Sequence, residues 1–352
     1  MRAVFLPGGR KVDIREISVP SPGPGEVLIA VQAAGLCGSD LHMHYRPAPE
    51  HRYGPIFGLK TDPNVVPGHE PTGTVIELGT RVKALHLGDR VAVHHVAGCG
   101  DCVECRRGWD INCGHKFGIY GLDLPGAMQD RMVVRSRDCV LVPSNITFAE
   151  AAYYTCGAGA GYLALRRAGL GVGDTVAVVG LGPVGLAAAY FARQAGAVVV
   201  GLDPVESRRA FATNAGVAIT FDPTEDTANE RLREALGGTG ADVVIESSGS
   251  ARGRLLALDV AGLRGRVVCV GFGDSENVID VQSTVIQKQL EVRGSWMFPL
   301  PDLQKMLEDV SLRGLSVTHL ISGTFGIEEA ARAWAVFDQG GPGKAVLEWG
   351  QP

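Results

Sequence analysis

Four cysteines fall within fifteen residues in the stretch CGDCVECRRGWDINC, Cys99 to Cys113, of a chain of 352 residues that holds eight in all. The spacing Cys-x2-Cys-x2-Cys-x7-Cys lets Cys99, Cys102, Cys105 and Cys113 converge on one point, with Gly100, Gly108 and Gly114 expected at the sharp turns. Four thiolates round a divalent ion leave no coordination position for water or substrate, so this pattern reads as a closed, structural zinc site. Arg106 and Arg107 stand where they would offset part of its residual negative charge. An iron–sulfur or redox cluster takes the same donors and stays open as the alternative.

A second set of donors is scattered. Cys37 lies in GLCGSDLH, His69 in PGHEPTG and Cys156 in TCGAGAGY. Two cysteines and one histidine with a fourth position vacant would make a catalytic zinc site, where substrate or water enters the open place. The remaining cysteines, Cys139 in RDCVLV and Cys269 in VVCVG, read as small apolar residues of strands. His51, His86, His115 and His319 read as packed or surface residues.

The second half of the chain carries a different chemistry. Thr175 to Val179 is a short apolar strand by pattern, followed by Gly180-Leu-Gly182-Pro183-Val184-Gly185, a helical stretch to Gln194, and a strand from Val198 to Leu202 that ends in Asp203. In such a turn Gly180 permits the bend, Gly182 lets the backbone approach a pyrophosphate, and Gly185 lets helix and strand pack closely. The flanking strand, the helix and the acid about 20 residues on supply the context that a lone glycine motif lacks. A carboxylate at Asp203 accepts hydrogen bonds from ribose hydroxyls and repels an extra phosphate, which favours NAD over NADP; Arg208 and Arg209 pull the other way.

These sites must be held by a chain whose length exceeds one core's usual limit, so two domains are expected. The apolar fraction of 45%, the charged fraction of 20% and 48 glycines describe a globular α/β chain. Strand-like runs at 242–246 and 266–270 alternate with helix-like segments around 225–236 and 251–262, which predicts a doubly wound parallel sheet. A net charge of -5 without a Lys/Arg-rich run argues against nucleic acid or an anionic membrane as partner and for a small-molecule substrate. The N-terminus shows no signal-peptide pattern and no apolar run reaches spanning length, so a cytoplasmic location is expected.

Taken together, GLCGSDLH, GHEPTGTVIELGTRV, LGDRVAV, the four-cysteine stretch, GLGPVG and the closing GKAVLEW occur in an order that resembles the zinc-dependent medium-chain alcohol dehydrogenases nearly end to end. The resemblance implies a mainly β GroES-like catalytic domain formed by 1–156 and 299–352, a dinucleotide-binding Rossmann domain at 157–298, and substrate in the cleft between them. It implies two zinc ions per chain. Cys37, His69 and Cys156 would hold the catalytic one, Glu70 would stand beside it or serve as an occasional fourth ligand, and Asp40 would orient His69. Cys99 to Cys113 would hold the structural one. Gly180, Gly182, Pro183, Val184, Gly185, Asp203, Arg208, Val270, Phe272 and Lys344 would contact NAD.

The implied reaction is reversible hydride transfer between an alcohol and NAD. Zinc as a Lewis acid makes the hydroxyl acidic, the alkoxide releases hydride, and Ser39 and His42 relay the proton to solvent. The other reading of Ser39 is a helix cap. His94 and His95, with His44, Tyr45, Arg46, His51, Arg52, Tyr53 and Phe57 of the loop after Cys37, suggest a secondary alcohol bearing hydroxyl, amino or acid groups. Ala160 stands where the family often has a nicotinamide-contacting threonine, and Trp296 and Phe298 either line the cleft or pack beside it. The family also implies a homodimer or homotetramer. Two alternatives remain open on these residues, a zinc-optional NAD(P)H reductase of quinones or activated alkenes and a non-enzymatic zinc and NAD-binding sensor.

Overall fold

The computed structural model describes residues 1–47, 62, 64–115, 118–225, 228–273 and 278–350, with the backbone alone at 228–230. His51, Arg52, Tyr53 and Phe57 lie outside the described residues. Contacts divide the chain into one unit of Met1–Cys156, Pro299–Gly340 and the residues from Lys344 on, and a second of Gly157–Phe298 with Gly341–Gly343.

The first unit is built on a sheet whose strands run in the order Ile321–Phe325, Lys344–Glu348, Glu26–Gly35, Pro71–Leu78, Arg90–Val93 and Cys139–Leu141, with Arg131–Arg135 also paired to Glu26–Gly35. All these pairings are antiparallel except that of Ile321–Phe325 with Lys344–Glu348. Along Glu26–Gly35, Val27, Ile29 and Val31 point into one core with Val75, Val91 and Met132. Ala33 meets Ala149 and Ala152 of the helix Phe148–Tyr154 on another face. A capping box starts that helix. Thr147 caps it by accepting from the Glu150 N–H at 3.2 Å, and the Glu150 carboxylate returns to the Thr147 N–H at 3.0 Å.

Register in this sheet gathers chemistry at one end. Ala34 pairs with Pro71 and Gly35 with Val346, so the residues just past Glu26–Gly35, just before Pro71–Leu78 and at the start of Lys344–Glu348 become neighbours. Backbone bonds fasten them, Gly35 N–H to Glu70 O and Leu36 N–H to Ala345 O. Gly68 turns the approach to His69 at φ +94°, against Met128, where a Cβ would come to 2.8 Å from Met128 Cγ.

The second unit holds a six-stranded sheet in the order Ile219–Phe221, Val198–Leu202, Thr175–Val179, Ala241–Glu246, Ala261–Cys269 and Glu291–Gly294, all parallel. Numbered along the chain this is 3-2-1-4-5-6, the doubly wound order in which ligands bind beyond the carboxyl ends at the switch between the first and fourth strands. Cys139 and Cys269 fall on strands, as their apolar surroundings suggest. No helix among the described residues is long and apolar enough to cross a membrane.

At that switch the glycine turn is tight. Gly180 has φ +92°, and the helix Pro183–Gln194 begins with proline in its first turn after Gly182. A Cβ on Gly185 would lie 1.8 Å from Gly180 O and 2.5 Å from Ser247 Oγ, whereas one on Gly182 meets nothing within 4 Å. Gly185→Ala is therefore expected to cost about 1–3 kcal/mol through overpacking. Gly182→Ala should forfeit only about 0.5–1 kcal/mol of N-cap preference. Urea unfolding of the two variants checks this, and equal midpoints would contradict it.

Candidate metal centres and dinucleotide turn

Cys37 follows the Glu26–Gly35 strand and is the N-cap residue of the short helix Gly38–Asp40, which runs on into a π-helical turn, Leu41–Tyr45. The cap is not Ser39, whose hydroxyl instead lies 3.3 Å from Cys37 Sγ and 3.4 Å from His69 Nε2. His69 and Glu70 come from the turn before Pro71–Leu78, and Cys156 from the break between the helices Phe148–Tyr154 and Gly157–Ala168. One donor atom from each of Cys37, His69, Glu70 and Cys156 lies within 4.8 Å of the others.

The distances test whether a metal fits. Tetrahedral zinc with Zn–S near 2.3 Å and Zn–N near 2.0–2.1 Å sets its sulfurs about 3.8 Å apart and sulfur about 3.6 Å from nitrogen. Here Cys37 Sγ and Cys156 Sγ are 3.9 Å apart, and Cys156 Sγ is 3.5 Å from His69 Nε2. The chemistry of the set agrees. Asp40, fully buried, holds His69 Nδ1 at 3.0 Å, which turns Nε2 toward the sulfurs. Burial alone would lower the His69 pKa, but the charges of Asp40 and Cys37 outweigh it and hold the ring well above its ordinary value. The hydrogen bond between the two thiols holds Cys37 well below the usual thiol range and pushes Cys156 well above it.

Glu70 is not aimed only at this cluster. Lys344 donates to its Oε1 at 2.5 Å and to Leu36 O at 2.7 Å, with both side chains buried. Burial lifts the Glu70 carboxyl to about 8, although Lys344 opposes the rise. Lys344, expected among the cofactor-binding residues, thus has its ammonium spent on Glu70 and a carbonyl in the interior of the first unit. The sheet register that carries it there is the reason. Glu70 Oε2 makes no hydrogen bond, and a Cβ on Gly35 would strike it at 1.8 Å. His42 is exposed on the π-helical turn, its pKa lowered by desolvation and by Arg46.

The four-cysteine set also fits. Its Sγ atoms lie within 4.8 Å of one another, with Cys99 and Cys105 at 3.9 Å and Cys102 and Cys113 at 3.8 Å. Backbone N–H groups of Cys99 and His115 donate to Cys113 Sγ at 3.3 Å, and that of Cys102 to Cys99 Sγ at 3.4 Å. Donors aimed at sulfur favour thiolate, and those of Asp101 and Cys102 hold Cys99 down to about 6. Burial raises Cys105 to about 12 in the absence of an ion. Gly100 and Gly108 turn at φ +88° and +82°, while Gly114 is not among the positive-φ glycines. Arg106 bonds Asp101 O and Arg107 pairs with Glu104, so neither is placed as a direct counter-charge to the sulfurs.

In the second unit, Asp203 ends the Val198–Leu202 strand and is 2% exposed. Its oxygens accept from Leu181 N–H and Val205 N–H, both at 2.8 Å, and Arg208 stands 3.6 Å away. The open space over Gly182, at the head of the helix Pro183–Gln194, is the room that a pyrophosphate needs. Val270 follows the strand Ala261–Cys269, its N–H bonded to Glu246 O at 2.8 Å, and Phe272 is exposed two residues on.

Near the Cys37 cluster, sequence reasoning singles out His94 and His95 but not Asp110 or Thr155, which hold them. Their partners come from distant segments, and only the folded chain shows the contacts.

Comparison with known proteins agrees with this geometry. Residues 23–144 match the alcohol dehydrogenase GroES-like domain, and residues 183–311 match the zinc-binding dehydrogenase domain. The uncharacterized zinc-type alcohol dehydrogenase-like protein YphC of Escherichia coli K12 is 35% identical over 99% of both chains. An L-threonine 3-dehydrogenase of Coxiella burnetii is 30% identical over 96% of both. The crystal structure of galactitol-1-phosphate dehydrogenase from Escherichia coli superposes with a TM-score of 0.87 at 25% identity, covering 99% of this chain and 100% of that one. With two donor sets spaced for zinc, a doubly wound nucleotide sheet and full-length relatives of one kind, the chain belongs to the zinc-dependent medium-chain dehydrogenase family, an oxidoreductase of the zinc-type alcohol dehydrogenases.

Proposed function

We propose that the protein is a zinc- and NAD-dependent alcohol dehydrogenase that interconverts a functionalised secondary alcohol and its ketone, with a catalytic and a structural zinc in each chain. The observation that carries this reading is the convergence of Cys37, His69 and Cys156 at metal-ligand spacing while Lys344 draws on Glu70, the fourth donor. In this reading Cys37, His69 and Cys156 hold the catalytic ion, and Cys99, Cys102, Cys105 and Cys113 the structural one. Bound there, zinc supplies Lewis acidity that makes a hydroxyl a far stronger acid.

The chain's own residues do the rest. Asp40 fixes the His69 tautomer through Nδ1. The Ser39 hydroxyl, in contact with both Cys37 and His69, accepts the substrate proton at Oγ as it passes its own hydroxyl proton on toward His42 and solvent. His42, exposed on the same turn, exchanges protons with solvent. Gly182 and the helix after it seat the dinucleotide phosphates, and the Asp203 carboxylate accepts from the ribose and disfavours the additional phosphate of NADP. Hydride leaves the alcohol carbon for NAD and the proton goes to water, so that alcohol and NAD become ketone, NADH and a proton.

A polar substrate is supported by His95, whose ring lies edge-on to His69 with centroids 5.2 Å apart, since imidazole rather than a large apolar group flanks the cluster. The names of two relatives point the same way, threonine and galactitol 1-phosphate both being alcohols with further polar groups. The reading also has copies of the chain associating as a dimer or tetramer. The terminal strand Glu291–Gly294, exposed at all four residues, and exposed Val278, Val281 and Ile286 offer a surface for that. A cytoplasmic setting is supported by eight cysteines with no disulfide among them.

Two outcomes are expected. Metal analysis should give about two zincs per chain. Cys37→Ser should give about one with a stable fold, and should cost several kcal/mol of barrier, on the order of a thousandfold in turnover. Cys105→Ser should instead lower the melting temperature. A wild-type content of one zinc would sink this assignment. In an alcohol panel followed by nucleotide absorbance, amino alcohols, polyols and hydroxy acids with NAD should be turned over in preference to long primary alcohols or to reactions with NADP. The reverse order would refute the substrate class.

A further inference from the structure

Within the first unit a line of contacts joins the four-cysteine lobe to the Cys37 cluster. Asp110 lies between Cys105 and Cys113 on the turn Asp110–Asn112 and is 7% exposed. Its Oδ1 accepts from the backbone N–H of Leu300, the first residue of the helix Leu300–Arg313, at 3.1 Å. Its Oδ2 is 3.1 Å from His94 Nδ1. That nitrogen also faces Val96 O at 3.1 Å. Both neighbours only accept, so Nδ1 carries a hydrogen and the ring orientation is fixed.

The orientation is handed on. The His94 ring stacks on His95 with centroids 5.6 Å apart and planes 21° from parallel. His95 Nδ1 is 3.2 Å from Thr155 O, and Thr155 immediately precedes Cys156. The far edge of the pair reaches His69. The segment is also pressed against the lobe, because a Cβ on Gly98 would lie 2.9 Å from Asp110 Cβ and 3.1 Å from Cys105 Sγ.

We propose that Asp110 is a positioning residue for the Cys37, His69 and Cys156 cluster: by gripping His94 it sets the His94–His95 pair against His69 and Thr155, so the four-cysteine lobe shapes the pocket in which substrate binds. This rests on the reading of that cluster as the catalytic metal site. A carboxylate can accept from Leu300 N–H and from His94 Nδ1–H together. An amide has one acceptor oxygen and must turn N–H toward one of the two donors. Asp110→Asn is therefore nearly isosteric yet breaks one arm. His94→Phe breaks the same arm from the other side, keeps a flat ring against His95 and leaves the Leu300 contact alone.

The test uses the zinc-loaded enzyme and a form with Co2+ exchanged into the catalytic site. Both variants should keep about two metals per chain and bind NADH within about twofold of wild type. The kcat/KM for the best alcohol should fall about tenfold, the low end of what removal of a supporting partner costs a metal site. The visible bands of the Co2+ form should shift. Unchanged kcat/KM and unchanged bands in His94→Phe would overturn the proposal whatever Asp110→Asn does to folding, and lowered melting alone would leave Asp110 as a brace of the lobe. A wild type with one metal or no alcohol turnover would instead overturn the functional reading beneath it.

Discussion

Two half-buried thiols with a buried imidazole and a buried carboxylate, their donor atoms within 4.8 Å of one another, form an arrangement that a protein does not tolerate as bare charge. Every nearby feature of the first unit answers that constraint. Asp40 supplies the charge that balances His69, and Lys344 the charge that balances Glu70. The two sulfurs instead lie against each other, Cys37 Sγ and Cys156 Sγ being 3.9 Å apart. A divalent cation held there would resolve the conflict by taking both as thiolates, and its binding would then depend on pH and contribute to the stability of the folded state.

The second unit meets a different constraint with backbone rather than charge. An anionic dinucleotide needs donors and close approach, and the chain provides them where the first strand of a parallel sheet turns into a helix. Gly185 is spent on packing, since its Cβ position is filled by Gly180 and Ser247, whereas Gly182 is spent on emptiness. Asp203 is shared between fold and ligand. Its bonds to Leu181 and Val205 shape the very turn that would face a dinucleotide. Arg208 is held toward this carboxylate, so a basic residue in the sequence need not mean a site for an extra phosphate.

How much of this is legible in the sequence depends on how local each arrangement is. The four-cysteine lobe and the glycine turn are written in contiguous residues, and their spacing carries the reading. Cys37, His69 and Cys156 are scattered, each a weak signal alone, and the resemblance strengthens their reading as one set; what assembles them is the pairing of Ala34 with Pro71 and a helix laid across the strand. Lys344 shows the cost of lacking that register. A lysine beside a glycine near the end of the chain gives no local sign of burial, yet the pairing of Val346 with Gly35 delivers its ammonium to Glu70. Asp110 is similarly silent, one acid among the residues of a cysteine-rich loop until Leu300 and His94 arrive from either side.

The same difference in locality separates the two metal sites as physical objects. The lobe closes its donors over a short loop, with backbone N–H groups already turned toward sulfur, so it needs little of the sheet in order to bind. The Cys37 cluster pays a larger loop-closure entropy, since its donors stay apart until long-range strand pairing is complete. A set held by the fold could leave a coordination position open, because the sheet and the bonds of Asp40 to His69 and Lys344 to Glu70 keep its donors in place. A set formed locally has no such scaffold and would need all four donors to hold itself round an ion, in keeping with a four-cysteine set in one loop and a mixed set at the end of a sheet.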